Sequence, residues 1–292
     1  MRRLLLSSIL SVLVGGALLG APSPAAAQED TLAKIKRTGA LTIGFRESSP
    51  PFSFVTAGNP KPQGYSIDLC LRIADGVKKE LALSQLDVKW VKVTPEDRIA
   101  AVANGAVDIE CGSTTKTLGR MAQVDFTVLT FLDGGSLLTT RAANIKKLAD
   151  VAGKRVAVIA GTTTEAAVRD MVKKLALQNV KLLGVKDHSE GLAALDAARI
   201  DAYASDRTLL AGLAVTSKDP AKLYLIEDFI SFEPYALMIR RGDANFRLAV
   251  DRTLIRLYRN AEAVPIYEKW FGPFPEGGSL ISAVYVLNSV PD

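Results

Sequence analysis

The chain has 292 residues, of which 48% are hydrophobic and 23% charged, an ordinary globular composition that can bury the cores of one large or two medium domains. The formal charge is +5, with no lysine/arginine run and no basic patch interleaved with aromatics, which argues against a nucleic-acid partner. One histidine and two scattered cysteines provide no metal-ligand spacing, so neither a metal nor another cofactor is expected.

The first 27 residues read as a cleavable secretory leader. Arg2 and Arg3 precede an apolar stretch over residues 4–20, and Ala25-Ala26-Ala27 forms a small-residue cleavage site before Gln28. Removal of the leader takes away two arginines and no acid, lowering the charge to +3. No cysteine lies near the cleavage point, so a lipid anchor is not expected there. An exported compartment permits a disulfide between Cys70 and Cys111. The place of Cys70 on the apolar face of a predicted helix favours two buried free thiols instead.

Residues 41–45 (Leu-Thr-Ile-Gly-Phe) form a predicted strand, followed by the polar turn Arg46-Glu47-Ser48-Ser49-Pro50-Pro51. Residues 65–83 carry Cys70, Ile73, Ala74, Val77 and Leu81 at helical spacing. A strand over 88–93 and a helix over 95–104, ended by Gly105, come next. The apolar run 106–109 then leads like a buried strand into Glu110-Cys111-Gly112-Ser113-Thr114-Thr115, with Arg120 five positions later. Small hydroxyl residues after a strand leave backbone N–H groups approachable, and an arginine on the following turn can grip a carboxylate in bidentate fashion. Alternation of strand and helix predicts a parallel α/β sheet with ligands at the carboxyl ends of its strands.

The second half echoes the first at an offset of 92 to 95 residues. Lys78-Lys79-Glu80-Leu81-Ala82-Leu83 is matched by Lys173-Lys174-Leu175-Ala176-Leu177, the strand at 88–93 by 180–185, and the run ending in Val107-Asp108 by that ending in Ile200-Asp201. The echo implies a duplicated βαβαβ lobe. It also gives Asp108 and Asp201 a shared structural role. Two lobes joined by two crossings, around 131–136 and 229–235, enclose a cleft between their strand-end loops. The expected division is residues 28–132 and 234–292 in lobe 1 and residues 133–233 in lobe 2. Two helices, over 246–260 and 264–271, return to the first lobe, and the tail from Pro273 reads as a strap.

Together the motifs Gly44-Phe45-Arg46-Glu47-Ser48-Ser49, Phe52-Ser53-Phe54, Gly64-Tyr65-Ser66, Glu110-Cys111-Gly112-Ser113-Thr114-Thr115, Gly161-Thr162-Thr163, Lys186-Asp187-His188, Leu209-Leu210-Ala211-Gly212 and Tyr267-Glu268-Lys269-Trp270-Phe271 resemble the periplasmic glutamate/aspartate-binding proteins of ABC importers, in family 3 of the bacterial solute-binding proteins. The resemblance spans residues 31–272. It implies a type II periplasmic-binding-protein fold that closes on free L-glutamate or L-aspartate and delivers it to an inner-membrane ABC permease. A periplasmic monomer is expected. By the same resemblance, Arg120 with Thr115 and Thr163 would hold the α-carboxylate, and Asp206 with Ser113 the α-ammonium. Arg46, Arg98 and His188 would face the ligand side chain. Pro95 departs from the pattern, standing where such binders carry a serine three residues before the arginine matching Arg98. The alternative on the same fold is a secreted cyclohexadienyl dehydratase, with Glu165 as general acid. An ammonium partner at Asp206 suits an amino acid and not prephenate, so binding without catalysis is the expected activity.

Overall fold

The computed structural model describes residues 29–272 and 278–291; the expected leader and its cleavage site lie outside the described residues. In chain order the first lobe is built from α1 (Thr31–Thr38), β1 (Ala40–Phe45), β2 (Ser48–Ser49), β3 (Ser53–Thr56), β4 (Asn59–Gln63), α2 (Tyr65–Glu80), β5 (Asp87–Lys92), α3 (Arg98–Ala103), β6 (Ile109–Glu110), α4 (Leu118–Met121) and β7 (Val124–Asp133). The second lobe follows with β8 (Gly135–Thr140), β9 (Arg155–Ile159), α5 (Thr163–Lys174), β10 (Lys181–Val185), α6 (His188–Asp196), β11 (Ala202–Asp206), α7 (Arg207–Thr216) and β12 (Leu223–Leu225). The chain then returns through β13 (Glu233–Arg240), α8 (Ala244–Arg259), α9 (Val264–Phe271) and α10 (Gly278–Leu287).

Two five-stranded sheets result, ordered β5-β1-β6-β13-β7 and β10-β9-β11-β8-β12. In each, one strand, β13 or β8, runs antiparallel to the other four, pairing with the last of three parallel strands on one side and with the edge strand on the other. Strands β7, β8 and β13 run into or out of the crossings, so the links between lobes are anchored in both sheets. A compact third sheet, β2-β3-β4, stands over the first lobe.

The duplication is visible in local geometry. Lys78 to Leu83 and Val172 to Leu177 close α2 and α5 with the same six-residue bond, from the N–H of Leu83 to Lys78 O and of Leu177 to Val172 O, both 3.0 Å. Each turn passes through an alanine in the left-handed region, Ala82 at φ 51° and Ala176 at φ 49°. The paired aspartates have one job in both lobes. Asp108 Oδ2 accepts the N–H of Thr42 at 2.7 Å, and Asp201 Oδ2 accepts the N–H of Arg155 at 2.7 Å, each satisfying a donor of the neighbouring strand.

The first lobe holds the larger core. Phe52, Phe131, Tyr235 and Phe271 meet where the two crossings leave it, with Phe52–Phe131 and Phe131–Phe271 ring centroids 4.9 Å apart and Phe52–Tyr235 at 5.2 Å. Rigid rings at that point fix the base of the hinge. The tail does strap this lobe: Ile281, Val284 and Tyr285 of α10 are buried, Tyr285 stacks on Tyr258 at 4.6 Å, and Asn288 Oδ1 accepts the otherwise free N–H of Leu129 on the edge strand β7.

The cysteines correct the expectation of free thiols. Cys70 and Cys111 are joined in a disulfide with a Cα–Cα distance of 6.4 Å. The apolar face of α2 packs on the sheet at the point where β6 ends, so one turn of α2 lies against the loop that follows Glu110. Burial of Cys70 was legible from helical spacing, but its neighbour across the fold was not. The bond closes a separation of 41 residues, for which chain entropy gives about 4 kcal/mol. A Cys70→Ala/Cys111→Ala variant should therefore melt on the order of 10 °C below the parent in calorimetry.

Candidate functional site

The lobes meet along their strand-end loops. Gly212 of α7 lies so close to the first lobe that a Cβ there would fall 2.6 Å from Pro50 O, Leu209 joins the first lobe's core, and α6 packs against β2. Between them lies a cavity lined from the first lobe by Pro95, Arg98, Ser113 and Thr115. From the second lobe come residues 162–164, Ile159, His188, Ala204, Ser205, Asp206 and Leu209. The structure thus brings Arg98, Ser113, Thr115, Thr163, His188 and Asp206 to one wall or another of one cavity. Arg46 and Arg120 are buried beside it without being among its lining residues.

Capping positions the second-lobe loops. Thr162 caps α5 by accepting the N–H of Glu165 at 3.1 Å, while Glu165 reaches back to the N–H of Gly161 at 2.9 Å. The start of α6 repeats the device with Asp187 and Glu190, the latter accepting from Lys186 N–H at 2.8 Å. His188 is thereby turned inward, and its Nδ1 lies 2.7 Å from Tyr203 OH. Burial and then the charges of Arg46 and Arg98 depress its pKa to about 3, so His188 is neutral at physiological pH. His188 therefore adds no charge to that of Arg46 and Arg98.

Asp206 ends β11 at the position before α7, where a carboxylate would ordinarily cap the helix. It does not cap: the N–H of Thr208 is taken by Asp133 at 3.1 Å, from the crossing strand β7. The Asp206 carboxylate is left to the cavity, oriented by Thr164 Oγ1 at 2.9 Å and by the hydroxyl of Tyr235. Burial, and next the negative charge of Glu233, push its pKa up to about 6. Asp133 is raised too, by burial and then by Asp206. Such a carboxylate gains most from a cation brought to it.

Glu233 and Tyr235, both on β13 as it leaves the second crossing, are not among the residues expected from sequence. Glu233 Oε2 accepts hydrogen bonds from Thr115 at 2.5 Å and Thr163 at 2.8 Å, one threonine from each lobe. A signal was available: a glutamate entering the apolar strand Tyr235-Ala236-Leu237-Met238 must be buried and partnered.

The first-lobe side is cationic. Arg98 donates to Thr114 Oγ1 at 2.7 Å, and Thr114 in turn donates to Glu110 Oε2 at 2.8 Å. Arg46 is 3% exposed, and burial, then Arg98, bring its pKa down to about 10, which leaves it charged at neutral pH. Arg120 is lowered to about 10 by burial and by Arg98, and its Nη1 donates to Thr115 O at 2.7 Å. Among the described residues, the buried polar side-chain atoms without a partner are Ser49 Oγ, Arg98 Nε and Glu110 Oε1. Ser49 and Glu110 end strands of the first lobe, and Arg98 opens α3.

Glu165 is held in an ion pair with Arg169 at 2.8 Å, which lowers its pKa. A carboxyl kept ionised by an arginine has no proton to give, so the general-acid reading of Glu165 has no support in the geometry. Among the described residues no three histidine, cysteine, aspartate or glutamate side chains group to hold a metal, and no helix is long and apolar enough to cross a membrane.

Two α/β lobes, two crossings and a buried cavity carrying opposite charges on facing walls define a two-lobed ligand-binding protein. A family model, bacterial extracellular solute-binding proteins, family 3, matches residues 41–273, and the chain belongs to that family. It is 42% identical to an L-glutamate/L-aspartate-binding protein of Pseudomonas aeruginosa over 93% of this chain and 90% of that one. It is 34% identical to a glutamate/aspartate import solute-binding protein of Escherichia coli, covering 92% and 89%. Among solved structures, an ancestral arginine-binding protein bound to glutamine matches with a TM-score of 0.71 at 27% identity, over 80% of this chain and 98% of that one. An ancestral amino acid-binding protein described as a precursor of cyclohexadienyl dehydratase matches with a TM-score of 0.71 at 29% identity, over 82% and 99%. The similar proteins are solute-binding proteins, and this chain is one of them rather than an enzyme.

Proposed function

We propose that the protein captures L-glutamate or L-aspartate between its lobes and passes it to the permease of an ABC importer, as a periplasmic monomer freed of its leader after Ala27. Residues 28–132 and 234–292 form one lobe in this reading and residues 133–233 the other. The observation that carries it is the cavity's polarity: the buried carboxylate of Asp206 comes from one lobe and the buried guanidinium of Arg98 from the other. A zwitterion with a second carboxylate matches that layout. Asp206 takes the α-ammonium, with Ser113 beside it. Arg120 has donors to spare beyond the one spent on Thr115 O, and it holds the α-carboxylate together with Thr115 and Thr163, whose single hydroxyl protons turn from Glu233 to the ligand. Arg98 and Arg46 compensate the side-chain carboxylate, and His188 contributes a neutral hydrogen bond. The names of the relatives support the acidic ligand.

Thermal shift across the twenty amino acids tests this reading. A ligand present at a hundred times its Kd adds about 2.7 kcal/mol to the stability of the native state. Glutamate and aspartate should give the largest shifts, and a flat response to all twenty would sink the proposal.

A further inference from the structure

Glu110 is fully buried at the end of β6, behind the cavity wall. It opens the motif Glu110-Cys111-Gly112-Ser113-Thr114-Thr115 but does not line the cavity. Its surroundings are cationic. Oε2 accepts from Thr114, whose hydroxyl accepts in turn from Arg98, so Glu110 is linked to Arg98 through one side chain. Oε1 lies against the backbone of Gly112, where a Cβ would meet it at 2.1 Å and would meet Arg46 Cγ at 3.1 Å, which places Glu110 and the stem of Arg46 on the same face of that glycine. Glu110 also acts on the charges of Arg46 and Arg120 as an attractive neighbour. Glu110 Oε1 and Arg98 Nε both lack a hydrogen-bond partner. Two buried guanidinium groups, Arg46 and Arg98, thus share one buried carboxylate that is itself incompletely satisfied.

We propose that Glu110 is a specificity-tuning residue: a built-in counter-anion that keeps the Arg46–Arg98 pair tolerable in the empty protein and limits how tightly an acidic ligand is held. This inference rests on the acidic-amino-acid reading of the cavity. Glu110 sets one carboxylate against two guanidinium groups, which leaves the other guanidinium for one ligand carboxylate. Were both arginines uncompensated, the empty protein would be less stable and the ligand's carboxylate would be bound more tightly, because it would then relieve that repulsion. Gly112 is explained by the same arrangement, since any side chain there would displace the Glu110 carboxylate.

The test is Glu110→Gln, which keeps the shape and can still accept from Thr114. Calorimetric melting without ligand should give a lower Tm than the parent. Titration calorimetry should give a Kd for L-glutamate about tenfold lower, the scale of one unit charge removed at several ångströms in a medium of intermediate polarity. The Kd for L-glutamine should be unchanged or higher, so the ratio between the two ligands widens. A lower Tm together with weaker binding of both ligands would show a structural role and overturn the proposal, as would glutamate affinity equal to the parent's. If the single variant cannot be recovered folded, Arg46→Met/Glu110→Gln decides. Removing one cation with the anion should restore a folded protein with reduced preference for glutamate, and an unfolded double variant would overturn the proposal. Failure of the parent itself to bind glutamate would instead count against the acidic-ligand reading, so the two failures are distinguishable.

Discussion

Replacing Asp206 with asparagine should raise the Kd for L-glutamate and L-aspartate by roughly thirty-fold to several-thousand-fold, equivalent to about 2–5 kcal/mol. The ammonium of the ligand would lose its counter-charge in a closed cavity while Thr164 and Tyr235 still hold the side chain in place, so the fold should survive. The pH dependence supplies a second readout. In the empty protein Asp206 takes up its proton at about pH 6, because burial and the nearby charge of Glu233 disfavour the anion. Below that pH it is neutral and cannot pair with the ammonium, so the Kd should rise as pH falls through 6, approaching tenfold per unit. Stability of the empty protein responds in the opposite sense to this group. A carboxyl whose folded pKa is raised above its unfolded value, about 3.9, contributes stability that is fully present below that value and is lost as pH rises through 6. Asp206→Asn should flatten this group's share of both profiles. Retention of parental affinity in this variant, measured by titration calorimetry at pH 7.5, would remove Asp206 from the ammonium site.

Selectivity for acid over amide should be about a hundredfold. If Arg46 and Arg98 face the ligand side chain, glutamine or asparagine would leave their excess charge uncompensated when the lobes close. A cost of about 3 kcal/mol corresponds to that ratio. Since His188 is held neutral, the preference should be insensitive to pH between about 6.5 and 8, unlike that of a site whose charge came from a histidine. Arg98→Met should collapse the ratio, whereas Arg169→Ala, at a side chain 61% exposed and paired with Glu165, should leave it intact. Competition calorimetry with glutamate, aspartate, glutamine and asparagine measures the ratio directly. Equal affinity for acid and amide would mean that the arginines serve the protein's own interior, and the cavity would then suit polar amino acids in general.

The interlobe carboxylate Glu233 bears on both results. By accepting from Thr115 and Thr163 it ties the two lobes at the rear of the cavity, and it raises the pKa of Asp206. Glu233→Gln should therefore lower the pH at which glutamate binding is lost, an effect that a purely structural substitution would not produce. Titration of the Kd between pH 5 and 8 in this variant checks it.

Local sequence determined the strands and helices of the two βαβαβ units, because each follows from interactions within a few residues: helical spacing in α2, the alanine-terminated turns at Ala82 and Ala176, and the capping threonine and aspartate before α5 and α6. It also identified the strand-end loops as the place for a ligand, since carboxyl ends of parallel strands expose unpaired backbone groups. What it could not determine were distances between residues remote in the chain. Cys70 and Cys111 are bonded because α2 packs where β6 ends, a tertiary fact that turned an expected pair of thiols into a disulfide. Asp206 is free to face the cavity because Asp133, on a crossing strand 73 residues earlier, takes over the helix cap. The resemblance sets His188 against the ligand side chain, but its charge depends on the fold, since burial beside two arginines makes it neutral. The side chains were written in the sequence, but their charges were decided by the fold, because ionisation depends on solvent and neighbours that only close packing brings together.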